Sequence, residues 1–225
     1  VSEQTAIKTP HHARKTYASG VPLAEAKAAM MLIHGRGATA ASILELAREL
    51  GHADMAYLAP QADGNSWYPY SFLAPIERNE PALSSGLLVM ADVLAQVEAA
   101  GVPAERTVIG GFSQGACLAA EFVARNPRRY GGLFILSGGL IGPSGYSHAY
   151  SGSLDGTPVF LGCSDVDMHI PQERVHESAA VFERLGGQVT KRIYPSMGHT
   201  IIQDEIDHVG RIVDALFADH QPDML

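Results

Sequence analysis

Two cysteines, Cys117 and Cys163, are all that a chain of 225 residues contains. So few exclude a disulfide framework and a cysteine-based metal site. Both fall in apolar segments, where free thiols are usually buried. No apolar run approaches the roughly 20 residues needed to span a bilayer, so no integral membrane segment is expected. Runs of Lys and Arg are also missing, and 16 basic against 24 acidic residues leave a net charge of −8. A chain so charged is a poor partner for nucleic acid or an anionic membrane surface. The opening Val1-Ser2-Glu3-Gln4 has neither a basic segment nor an apolar one behind it. A cytoplasmic protein is expected; because the chain does not begin with Met, a leader removed upstream stays open. There is no repeat, low-complexity tract or linker, which predicts one domain over residues 1–225.

What is present is alternation. Ala28-Ala29-Met30-Met31-Leu32-Ile33 reads as a strand covered on both faces, and the spacing of Ile43, Leu46, Ala47 and Leu50 predicts a helix closed by Gly51. Further strands are predicted at residues 55–59, 106–109, 133–136, 158–162 and 189–194. Helices between and after them carry Leu83, Leu87, Met90, Leu94 and Val97; then Val175, Ala179, Phe182 and Leu185; then Ile206, Val209, Val213 and Leu216. Thr200 with Gln203 resembles a capping box for the last helix. Residues 1–20 are polar and predict an arm or an edge strand; His11-His12 has no third ligand nearby, so no metal site is read there. The fold class is α/β, a mainly parallel central sheet with helices on both faces. Residues 137–156 are too short for a large lid. In such sheets a site lies at the carboxyl ends of the strands.

Gly111-Phe112-Ser113-Gln114-Gly115 sits between a predicted strand and a nearly all-apolar helix. A serine at the apex of a strand-to-helix turn is a nucleophile elbow, with glycines two before and two after it for steric reasons. Serine needs a base, and the base needs a carboxylate. Among ten histidines, His199 follows a strand and Gly198 and precedes a helix, so it is the expected base. His34 is expected to support the first loop. His52, His148, His176, His208 and His220 match no strand end, and His169 is too near the acid in sequence to face it. Asp165 and Asp167 both follow one strand, and spacing does not decide between them. The order Ser…Asp…His is that of α/β-hydrolases. Backbone N–H groups of Gln114 and of Arg36, in His34-Gly35-Arg36-Gly37, are the expected oxyanion donors. The Arg36 side chain could steer an anionic substrate or simply lie in solvent, and the solvent position is the expectation.

With these residues the chain resembles the phospholipase/carboxylesterase family of α/β-hydrolases, which includes the acyl-protein thioesterases. The likeness runs from about residue 30 to residue 217. It rests on His34-Gly35-Arg36-Gly37, Pro60-Gln61 with the Trp67 loop, the Ser113 pentapeptide, residues 162–171 and Gly198-His199. It implies that the second Asp, Asp167, is the acid; Met168 stands where the family usually has Pro. It also implies hydrolysis of carboxylic esters, thioesters or lysophospholipids with no metal or organic cofactor, by a monomer or a homodimer. Without a large lid the cleft is expected to be shallow, with walls from Trp67, Tyr68, Phe72, Met168, Ile170 and Met197. The leading expectation is a carboxylesterase acting on small-molecule esters of short-to-medium acyl chains. A thioesterase or lysophospholipase is the alternative within the class. A dienelactone-type hydrolase would want Cys at position 113. A binding module that kept the fold is the rival of another class.

Overall fold

The computed structural model describes residues 10, 11 and 15–218; His12, His220 and most of the expected N-terminal arm lie outside them. Seven strands form one sheet: β1 (Thr16–Gly20), β2 (Ala28–Ile33), β3 (Met55–Pro60), β4 (Thr107–Phe112), β5 (Gly132–Leu136), β6 (Pro158–Ser164) and β7 (Gln188–Tyr194). Their order is β1-β3-β2-β4-β5-β6-β7. β1 runs antiparallel to β3, and the other pairings are parallel. The strands predicted from apolar runs are all present, and the helices lie on both faces.

The central strand β2 explains why its run is apolar without alternation. Ala29, Met31 and Ile33 pack with residues of α3 (Ala82–Ala99), α4 (Gln114–Arg125) and α5 (Gln172–Arg184). Ala28, Met30 and Leu32 point the other way, to α1 (Ala40–Ile43), α2 (Leu46–Glu49) and α6 (Gln203–Ala218). All six β2 side chains are fully buried. Each large one contributes about 1.5–3 kcal/mol of apolar burial. Helix α4 has every residue but Arg125 buried, as expected of a helix pressed into the sheet.

Two expectations need correction. The helix predicted from Ile43 to Leu50 is two short helices, α1 and α2. The N–H groups of Glu45, Ala47 and Arg48 reach back only three residues, to Ser42, Leu44 and Glu45, which tightens the chain between them. All four predicted apolar side chains are nonetheless buried. Helix α6 starts at Gln203, so Thr200 is not its cap. Instead Ile202 donates its N–H to Glu205 Oε2 at 3.0 Å, three residues on. Helix α3 is apolar enough over 18 residues to cross a membrane by length and composition alone. Its buried Leu83, Gly86, Met90, Val93, Leu94 and Val97 share one stripe against the core, the pattern of an interior helix.

Candidate active site

Ser113 stands at the carboxyl end of β4, with φ 55° and ψ −121°. This left-handed backbone costs a non-glycine residue of order 1–3 kcal/mol. It is held by the Ser113 N–H donating to Leu136 O (2.9 Å) and by Ser113 O accepting from Cys117 N–H (3.0 Å). The flanking glycines are required chiefly by the neighbouring strand rather than by each other. A Cβ on Gly111 would stand 2.2 Å, and one on Gly115 2.1 Å, from the Ile33 carbonyl oxygen of β2.

Residues from three strand ends meet above the sheet. His199 Nε2 lies 2.9 Å from Ser113 Oγ, and His199 Nδ1 lies 2.6 Å from Asp167 Oδ2. Asp167 follows β6 and its side chain has no exposed surface. Burial works to raise its pKa, but the bond from His199 and the backbone N–H groups of His169 (2.8 Å) and Ile170 (3.1 Å) outweigh it and hold the carboxyl below its ordinary value. The Cys163 thiol approaches the same Oδ2 at 3.8 Å. Burial, then the nearby carboxylate, pushes this thiol up to about 12, so it meets Asp167 as a neutral donor. Asp165 is turned away. Its Oδ1 accepts the Ser196 N–H at 2.8 Å, bracing the loop that carries His199.

The first loop converges on the same point. His34 Nδ1 lies 2.8 Å from Gly35 O, and His34 Nε2 accepts the Ala62 N–H at 3.1 Å, so the imidazole supports the turn as expected. Burial lowers its pKa and favours the neutral ring. Neither the Arg36 nor the Gln114 backbone N–H donates to a backbone acceptor among the described residues. The Arg36 side chain is not loose in solvent. Its guanidinium donates to Ser66 Oγ (3.1 Å), Pro69 O (2.9 Å) and Tyr70 O (2.7 Å). From the other side, Gln114 Oε1 accepts the Trp67 N–H at 2.9 Å while its Nε2 donates to Tyr68 O at 2.7 Å. The long loop of residues 60–82 is thus pinned to the site at both margins. A cleft of about 460 Å³ opens over Ser113 and His199.

The sequence profile of the phospholipase/carboxylesterase family matches residues 21–216. The chain belongs to the phospholipase/carboxylesterase family. It is 46% identical to a phospholipase/carboxylesterase from Dyadobacter fermentans of known crystal structure, with a TM-score of 0.86 over 90% of this chain and 97% of that one. Acyl-protein thioesterase 1 of Eremothecium gossypii is 29% identical over 81% of this chain and 85% of its own. That of Gibberella zeae is 32% identical, but the match spans only 48% of this chain and 47% of its relative. The fold is therefore that of an α/β-hydrolase.

Of the six expected cleft walls, three border the cleft and three lie elsewhere. Tyr68, Phe72 and Ile170 line the cleft. Trp67 does not: it is fully buried and donates its indole N–H inward to His34 O at 2.9 Å. Met168 is 84% exposed and outside the lining. Asp167 Oδ1 accepts two N–H groups beyond Met168, a turn that leaves this side chain facing water. Met197 is half-buried and also outside the lining. Several lining residues were missed, among them His169, Phe112 and Cys117. His169 sets its ring edge against His199, with centroids 4.8 Å apart, and Phe112 lies 4.8 Å away on a tilt. Cys117 enters because it follows Ser113 by one helical turn, a spacing that could have identified it.

Proposed function

We propose that this chain is a cofactor-independent serine hydrolase that cleaves carboxylic esters of short-to-medium acyl chains. Ser113 Oγ attacks the acyl carbon while His199 Nε2 takes its proton. The ester C–O bond then breaks, the alcohol leaves with that proton, and an acyl-enzyme remains. His199 next deprotonates a water molecule, which attacks the acyl carbon and releases the acid as Ser113 recovers its proton. Asp167 fixes the imidazole tautomer and stabilises its cation, and the Arg36 and Gln114 N–H groups receive the oxyanion. The observation that carries this reading is one imidazole bonded at once to Ser113 Oγ and to a buried carboxylate whose charged form is favoured.

The test is kcat/KM for matched oxygen and sulfur esters from acetate to laurate. The expected profile peaks at short-to-medium chains with oxygen esters hydrolysed at least as well as sulfur esters. No turnover above that of Ser113→Ala on any ester would refute the reading. The acyl-protein thioesterase names of the relatives favour one second reading, a thioesterase; a clear preference for sulfur esters would select it.

A further inference from the structure

We propose that the cleft selects carboxylic esters carrying an anionic group, a carboxylate or a phosphate, within reach of the Arg36 guanidinium. This rests on the esterase reading and narrows its substrate class. The chain has 24 acidic residues against 16 basic ones, yet among the described residues no Asp or Glu lines the cleft. The basic side chains facing it are Arg36, His169 and His199. The one carboxylate of the cluster, Asp167, is bound to His199 with no side-chain surface exposed.

Arg36 is prepared for such a ligand. Its bonds to Ser66 Oγ, Pro69 O and Tyr70 O use three of the five guanidinium N–H groups. The Nε–H and one Nη2–H remain without a protein partner among the described residues, on an exposed residue. All three acceptors are neutral, so the full positive charge stays uncompensated. Holding the fork in place beforehand reduces the rotamer entropy lost when an anion arrives. Arg36, Pro69, Tyr70 and Ser113 all line the same cleft, so the charge and the nucleophile share one space. The net charge of −8 repels anions at long range. That repulsion is screened beyond about 8 Å at physiological salt, and the local cation then decides.

Two matched pairs test this on the whole chain: ethyl butyrate with monoethyl succinate, and glycerol monobutyrate with its phosphate monoester. The first pair puts the anion on the acyl side, the second on the alcohol side. At low salt the anionic member of at least one pair should have a kcat/KM about tenfold higher, falling toward equality in about 0.5 M NaCl. Arg36→Met should bring that ratio to about one or below, and Arg36→Lys should keep most of it. Because each ratio is taken within one variant, loosening of the 66–70 loop cancels. Neutral members equal or preferred in both pairs, or a ratio that survives Arg36→Met, would overturn the inference and leave the esterase reading intact. If no ester is hydrolysed and Ser113 takes no fluorophosphonate, the esterase reading falls and this inference with it.

Discussion

Glu205 should make this protein lose stability between about pH 4.5 and pH 7, and Glu205→Gln should remove that loss. The carboxyl lies in the first turn of α6, fully buried. Oε2 accepts the Ile202 N–H, but Oε1 has no hydrogen-bond partner among the described residues. The side chain lies flat on β6, where a Cβ on Gly162 would stand 2.2 Å from Oε1. Burial raises its pKa from 4.5 to about 7, against the opposing Ile202 bond and with help from Asp204. Across that interval the folded chain holds a proton that the unfolded chain has released, so stability falls as pH rises. Below about 4.5 the advantage is complete, and above about 7 it is gone. At about 1.36 kcal/mol for each tenfold step, the gap amounts to roughly 3 kcal/mol. Gln imitates the protonated carboxyl. The variant should match the parent near pH 5 and exceed it near pH 8 by up to about 3 kcal/mol, a Tm difference of roughly 6–12 °C for a chain of this size. Thermal melts followed by circular dichroism at constant ionic strength would measure it. Other groups titrate in the same window, but they cancel in the difference between variant and parent. A variant less stable than the parent at pH 8, or a difference unchanged between the two pH values, would refute the reasoning.

Asp167→Asn should lower kcat/KM by about a thousandfold or more, because the imidazole loses the acceptor that sets its tautomer. Asp165→Asn should cost less than about tenfold, since the amide oxygen still accepts the Ser196 N–H; steady-state kinetics of both variants ranks them. Trp67→Phe should cost about 1–3 kcal/mol in urea denaturation, because the buried His34 carbonyl loses its indole donor. Gly115→Ala should fail to give folded protein by circular dichroism, as its methyl would overlap the Ile33 carbonyl.

The strands and the positions of Ser113 and His199 at strand ends were legible because they depend on local patterns, whereas Asp165 and Asp167 followed the same strand and only the family resemblance chose between them. Apolar runs mark buried strands, and glycines beside a serine mark a tight turn. What escaped was set by partners far along the chain. Trp67 turns inward because His34, 33 residues away, offers a carbonyl and Gln114, 47 residues away, holds its backbone. Arg36 reads as a solvent residue until Pro69 and Tyr70 are seen to present their carbonyls to it. Met168 reads as a cleft wall because it adjoins Asp167, yet Asp167 accepts two backbone N–H groups beyond it and exposes it. Nothing in the spacing of α6 signals that Glu205 is buried, because Gly162 of another strand makes the room.

The central claim is that Ser113 is a nucleophile activated by His199. A fluorophosphonate probe followed by peptide mass spectrometry tests it most directly. The account predicts one phosphonyl adduct, on Ser113, absent in Ser113→Ala and strongly slowed in His199→Ala. An unlabelled native protein, or an adduct on another residue with Ser113 unmodified, would contradict it.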